Sequence, residues 1–309
     1  MQVTNTILMI RPVAFRMNEQ TAVNNFFQED LDLKNVEINK KAQVEFDAFV
    51  VALKDKGVHV VVVDDTLSPD TPDSIFPNNW ISFHKEGIVG LYPMFAENRR
   101  NERREDVLDI LEEKGFKIND IVDYTSAEDD NFFLEGTGSI CLDRLNKKAY
   151  CALSDRADEE LFIEFCEDFD YFPVIFTANQ SVDGKRMPIY HTNVMMALGE
   201  TFAIICSDTI DDKKERKSVL DHLNNDGKAI IRITEQQMHQ FAGNMLQVLG
   251  ADDKRYLVMS SAAYTSLTAD QLKAIKTHCE IIHSSLDTIE TCGGGSARCM
   301  MAEVFLPKK

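Results

Sequence analysis

Short apolar runs recur along this chain, separated by polar stretches whose few apolar residues fall at helical spacing. Ile7-Leu8-Met9-Ile10 predicts a buried strand ending at Arg11-Pro12. Ala42 to Leu53 has the spacing of a helix, and the β-branched run from Val58 to Val63 predicts a core strand. Pro69, Pro72 and Pro77 make the next segment a loop, closed by Asn78-Asn79-Trp80.

From that point one order of elements repeats. Ile81-Ser82-Phe83 and Ile88 to Tyr92 flank Lys85-Glu86-Gly87 as a hairpin, a charged helix runs from Arg99 to Lys114, and Ile118 to Val122 is a short strand. The same order returns with Ser139 to Leu142, Ala149 to Leu153, a helix over Asp158 to Cys166 and a strand over Phe172 to Phe176. It returns with Val194 to Leu198, Phe202 to Cys206, Lys213 to Leu223 and Ala229 to Ile233, and once more with Met245 to Leu249, Arg255 to Met259, Ala269 to Lys276 and Glu280 to His283.

A fifth copy begins at Met300 to Phe305 and needs the N-terminal strand, the Ala42 helix and the Val58 strand to complete it. The period is about fifty-five residues, in the range that signals propellers or arrays. The pattern therefore predicts one α/β domain over residues 1–309, built of five ββαβ modules around an axis. The junctions entering the modules carry Asn78-Asn79, Glu135, His191, Asn244 and Cys299, and equivalent positions in such a ring converge.

Composition narrows the partners. Thirty-three Lys and Arg against fifty-one Asp and Glu give a formal charge of -18, which repels nucleic acid and anionic membranes. A small-molecule substrate is expected, with self-association into a homo-oligomer left open. The seven cysteines show no CxxC pair, which points to a reducing, cytoplasmic setting, and the seven histidines show no metal-ligand spacing. No cofactor or metal is implied. The first residues lack a basic leader, and Ile7 to Ile10 is too short to span a membrane.

The stretch that draws the chemistry together is Thr291-Cys292-Gly293-Gly294-Gly295-Ser296-Ala297-Arg298-Cys299. By itself it reads equally as a flexible turn before an ordinary buried cysteine. A nucleophilic Cys299 needs help, because a free thiol is only a few per cent ionised at neutral pH. His191, just before a predicted strand, is placed to serve as general acid and base. Glu135 ends the apolar run Asn131-Phe132-Phe133-Leu134 and can either bind substrate donors or orient the histidine.

Together GGGSARC, His191, FLEGTGS and FPNNW resemble the guanidino-group-modifying, or pentein, superfamily. It includes arginine deiminases, dimethylarginine dimethylaminohydrolases, amidinotransferases and citrulline ureidohydrolases. The resemblance implies a five-bladed α/β propeller with the site on its axis. It also implies Cys299 as nucleophile, His191 as acid/base and Glu135 as the carboxylate on the substrate head group. Asp73, in Asp73-Ser74-Ile75-Phe76-Pro77-Asn78-Asn79, matches a segment that holds the substrate's amino-acid end. Arg99 and Arg156 match positions that contact the α-carboxylate, a suitable task for guanidinium forks. Arg99, Arg100, Arg103 and Arg104 also read as a solvated helix face.

Two departures bear on the substrate. Relatives that act on a guanidinium carry an acidic residue where this chain has Asn79, and arginine deiminases place aspartate where it has Asn193. A guanidinium is a pure donor fork, whereas a ureido group donates and accepts, which suits asparagine. The amides favour citrulline, hydrolysed to ornithine, ammonia and carbon dioxide. An arginine deiminase or dimethylarginine hydrolase, an amidinotransferase, and a catalytically silent pentein that binds a protein partner stand as alternatives.

Overall fold

The computed structural model describes residues 1–309. Five three-stranded sheets share one plan: an antiparallel pair, then a strand added in parallel on the far side of the second. Ile81–Phe83, Ile88–Leu91 and Asp120–Asp123 form the first, and Ile140–Asp143, Lys148–Leu153 and Phe172–Thr177 the second. Met196–Leu198, Phe202–Ile205 and Ala229–Arg232 form the third, and Leu246–Leu249, Arg255–Ser260 and Glu280–Ser284 the fourth. In the fifth, Ala302–Glu303 pairs antiparallel with Thr6–Arg11, to which His59–Asp64 adds in parallel. The N-terminus thus completes what the C-terminus begins.

Each parallel crossover carries the expected helix. The longest, Asn35–Lys54, buries Ile38, Ala42, Phe46, Phe49, Val50 and Leu53 along one stripe and packs on Glu280–Ser284 and on the helix Asp287–Gly293. It begins seven residues before the apolar spacing shows it, because its first turns are polar apart from exposed Val36 and buried Ile38 and no side chain caps it. The helices Glu159–Asp168, Lys213–Asn225 and Ala269–Lys276 do announce themselves, through Asp158, Asp212 and Thr268, whose side chains accept N–H groups of the first turn.

The continuous helix expected from Arg99 to Lys114 is instead two, Glu97–Arg100 and Asp106–Glu113. Arg99 and Glu102 turn inward as a buried pair, while Arg104 donates outward to the Asp64 carbonyl, and the chain between them cannot stay helical. Residues 179–185 lie in the hairpin Asn179–Val182 and Lys185–Pro188, clamped by Arg186 to Asp211 and Glu235. All seven cysteines are buried and unpaired, and no helix is long and apolar enough to cross a membrane.

Candidate active site

The helix Asp287–Gly293 stops at Gly294, which takes the left-handed conformation (φ 60°) that an L side chain resists. A Cβ there would also fall 2.6 Å from Asn25 Nδ2. Gly293 and Gly295 lie against the Phe76 ring, where added Cβ atoms would sit 2.7 and 2.9 Å from ring carbons. Tyr190 donates its hydroxyl to the Gly294 carbonyl, and Asn25 and Gln28 donate to the carbonyls of Gly293 and Cys292. The glycine stretch is therefore a packed turn, and it delivers Cys299, 2% exposed, with its N–H on the Ser296 carbonyl at 3.0 Å.

Two amides meet the sulfur. Asn244 Nδ2 lies 3.2 Å and Asn193 Nδ2 3.6 Å from Cys299 Sγ. Asn244 Oδ1 accepts the backbone N–H groups of Arg298 at 3.0 Å and Cys299 at 3.4 Å. Asn193 Nδ2 also reaches the Thr137 carbonyl at 3.3 Å, so this residue stands at the nucleophile rather than on the cavity wall.

His191 Nε2 donates to Glu135 Oε2 at 2.7 Å, and the Phe95 N–H donates to Glu135 Oε1 at 3.0 Å. Gly138 makes room for the ring: a Cβ on it would be 2.8 Å from His191 Nδ1 and 2.4 Å from Asn79 Nδ2. Burial pulls His191 down to about 4, against the attraction of Glu135, so the imidazole is neutral in the empty site. Glu135 sits at about 2, because Arg156, His191 and Arg99 outweigh its desolvation. Its carboxylate is fully buried behind His191 and does not line the cavity.

The arginines are buried too, Arg99 at 2% and Arg156 at 1% exposure, so Arg99 is no part of a solvated helix face. Arg99 donates through Nε and Nη2 to both Glu102 oxygens at 2.9 Å, and through Nη1 to Asn79 Oδ1 at 2.9 Å. Its two-pronged edge is therefore occupied. Arg156 donates through Nη2 to the Thr21 carbonyl and through Nε to Asn24, with Nη1 3.5 Å from Glu135 Oε2 and the Tyr190 ring beneath it. Both guanidiniums hold the site's own anions and loops in place.

A tight cavity of about 10 Å³, room for roughly one water and well short of a ligand-sized pocket, opens among these groups. Of the residues expected from the sequence, Asp73, Asn79, Arg99, Arg156, His191 and Cys299 line it. Asn78 does not: its Nδ2 meets Thr137 Oγ1 at 3.3 Å and its Oδ1 accepts from Asn79 at 3.1 Å. Asp73 Oδ2 accepts from Asn18 and Thr21, whereas the buried Oδ1 has no partner. Burial raises this carboxyl above its ordinary range despite Arg99. An unpartnered buried acceptor on a cavity wall marks where a donor belongs.

Thr21, Asn25, Phe76 and Tyr190 complete the lining, and Glu102 holds Arg99 from behind. None of these was legible in the sequence. Thr21 and Asn25 belong to an irregular polar segment without periodicity, and Phe76 and Tyr190, neighbours of candidate residues, carry no signal of their own. No group of three or more His, Cys, Asp and Glu side chains is arranged to hold a metal ion. A larger, open groove lined by Gln237, Thr265 and Gln271 has Asp287 as its single ionisable group.

The sequence model of the family described as N,N dimethylarginine dimethylhydrolase, eukaryotic, matches residues 11–306. No curated protein matches the chain. Apo ArgZ, an arginine dihydrolase from the ornithine-ammonia cycle in cyanobacteria, has a similar structure, with a TM-score of 0.74 at 17% identity over 98% of this chain and 41% of that one. AgrE in complex with ornithine and NAD+ gives 0.72 at 16% over 98% and 40%. A dimethylarginine dimethylaminohydrolase adduct with S-methyl-L-thiocitrulline gives 0.62 at 12% over 96% and 98%. The chain spans about two fifths of ArgZ and AgrE and nearly all of the third protein. At these identities the likeness is one of fold.

Proposed function

This chain belongs to the N,N dimethylarginine dimethylhydrolase family, within the pentein superfamily, and on that premise we propose that it is a cysteine-dependent hydrolase of citrulline. In this reading residues 1–309 form one five-bladed pentein α/β propeller with the cavity at its axis. The protein works in the cytoplasm on a small amino acid, without a nucleic-acid or membrane partner and without a cofactor.

The observation that carries the reading is the Asn79 amide on the cavity wall. Asn79 uses one N–H on Asn78 and one lone pair on Arg99, and keeps one of each for a ligand. A ureido group, with an acceptor oxygen and donor nitrogens, matches that remainder. A guanidinium offers the remaining N–H nothing to bond.

Asp73 Oδ1 receives the α-ammonium, the donor its position lacks. The α-carboxylate turns toward Arg156 Nη1, which meets only Glu135 at 3.5 Å, since Arg99 has given its fork to Glu102 and the other edge of Arg156 is held by Asn24 and Thr21. Cys299 Sγ then attacks the ureido carbon. Neutral His191 carries the thiol proton to the leaving nitrogen, Glu135 stabilising the imidazolium formed on the way. The C–N bond breaks, ornithine departs, and a carbamoyl group stays on sulfur. Water adds to the thioester carbon with its proton passing to His191, and carbamate leaves to yield ammonia and carbon dioxide.

Arginine is the second reading, favoured by the buried carboxylates of Asp73 and Glu135 and by the arginine dihydrolase among the structural neighbours. A panel of citrulline, arginine, methylated arginines and agmatine, scored for ornithine and ammonia, separates the two, and added amine acceptors report amidino transfer. Rapid conversion of arginine to citrulline with citrulline left untouched would defeat the citrulline reading. Loss of turnover in C299S separates every enzyme reading from a silent pentein that binds a protein partner.

A further inference from the structure

Asn244 comes from the fourth module and hydrogen-bonds neither the imidazole nor the Arg99 and Arg156 guanidiniums, yet it is fully buried against the nucleophile. Its orientation is settled by chemistry: the oxygen must face the N–H groups of Arg298 and Cys299, because an NH2 there would meet two donors. The NH2 then faces Cys299 Sγ at 3.2 Å, the Asn193 carbonyl at 3.1 Å and Asn193 Oδ1 at 3.3 Å. One hydrogen goes to an Asn193 oxygen, and the other points at sulfur.

We propose that Asn244 is a catalytic residue that stabilises the Cys299 thiolate, formed as His191 takes the thiol proton, by donating an N–H to Sγ. This rests on the reading of Cys299 as the nucleophile. A sulfur that must donate has a poor acceptor, Asn193 Oδ1 at 3.8 Å, whereas a sulfur that accepts has Asn244 at 3.2 Å and Asn193 Nδ2 at 3.6 Å. The geometry is built for the anion. His191 is neutral in the empty site, and a ureido substrate brings no charge of its own, so these amides supply what a cation would.

The other ionisable groups around Sγ are accounted for. His191, Asp73, Arg99, Arg156 and Tyr190 line the cavity, with Glu135 behind the imidazole. Arg298, next in the chain, turns its guanidinium to the Met301 carbonyl and Glu303. Glu290 acts on the turn through Ser296 Oγ, and Cys141 lies on the far side beside Arg298. None of these is in hydrogen-bond contact with the sulfur.

The test needs no substrate. Alkylation of Cys299 by iodoacetamide is followed by mass spectrometry across pH in the parent and in N244D, with thermal melting of both. Asn244→Asp keeps an oxygen for the two backbone N–H groups and replaces the donor facing sulfur. The expected result is alkylation slowed about tenfold or more at neutral pH, with its midpoint moved to higher pH and cooperative melting retained. An N244D protein that alkylates at the parent's rate with the parent's pH dependence overturns the proposal. Should N244D fail to fold, the pH profile of the parent decides: Cys299 alkylation with a midpoint below that of a free cysteine supports the role, and a midpoint at or above it overturns it. Normal alkylation behaviour in a protein inert to citrulline overturns the substrate reading alone.

Discussion

Asn79→Asp exchanges an NH2 for an oxygen at constant size, and the neighbours of Asn79 set the consequences. The bond from Arg99 Nη1 at 2.9 Å survives, because an aspartate oxygen accepts it equally. The bond to Asn78 Oδ1 at 3.1 Å is lost, and two oxygens would face each other there. Asn78 relieves this by turning its amide, held on its other side only by the Thr137 hydroxyl at 3.3 Å.

In the cavity the change is larger. The free N–H offered to a ureido oxygen becomes an anion, and Arg99 cannot neutralise it, being already faced by Glu102, by Asp73 at 3.9 Å and by Glu135 at 3.8 Å. An unmatched buried acceptor costs about 1–3 kcal/mol, so kcat/KM for citrulline should fall roughly 5- to 150-fold. A guanidinium gains a charge-assisted bond of about 1.5–3 kcal/mol, so arginine should gain roughly 10- to 150-fold. The assay is kcat/KM for each substrate, measured by ornithine and citrulline release. A variant that keeps citrulline kcat/KM within about twofold and gains nothing on arginine refutes the amide argument.

Two further outcomes rest on the same geometry. Gly138→Ala drives a methyl to within 2.4 Å of Asn79 Nδ2 and 2.8 Å of His191 Nδ1, so kcat should drop by at least about tenfold while the fold persists. Gly115→Ala is the control: it has a positive φ but nothing within 4 Å, and should lose about 1 kcal/mol of stability with kcat unchanged; equal kcat in the two variants would sink the steric account. Burial raises Glu290 from its ordinary 4.5 to about 7, with no cation beside it, while it bonds Ser296 Oγ. From pH 4.5 to 7 the unfolded chain releases this proton and the fold retains it, so stability falls with rising pH, by about 3 kcal/mol in all. Glu290→Gln keeps the bond without titrating, so its melting temperature relative to the parent should climb across that window; parallel curves would contradict this.

Local pattern determined a good deal. Short apolar runs and helical spacing marked nearly every strand and crossover helix, because the inner strands are buried on both faces and each helix along one stripe. The repeat of their order made the incomplete fifth module look to the N-terminus, where Leu8 pairs with Ala302. Three glycines before Cys299, with junctions at Asn79, Glu135, His191 and Asn244, marked the residues that come together, since only a positive φ and close backbone approach need glycine there.

Tertiary structure alone decided the partnerships. Arg99, read equally as a substrate fork or a solvated face, is neither free nor exposed: Glu102 and Asn79 hold it. Glu135 bonds His191 from behind, Asn78 turns to Thr137, and Asn244 faces the sulfur from fifty-five residues away. Periodicity records whether a position is buried, not what it is buried against. A buried charge or amide must find its partner across several modules at once, and that choice exists only when all five are in place.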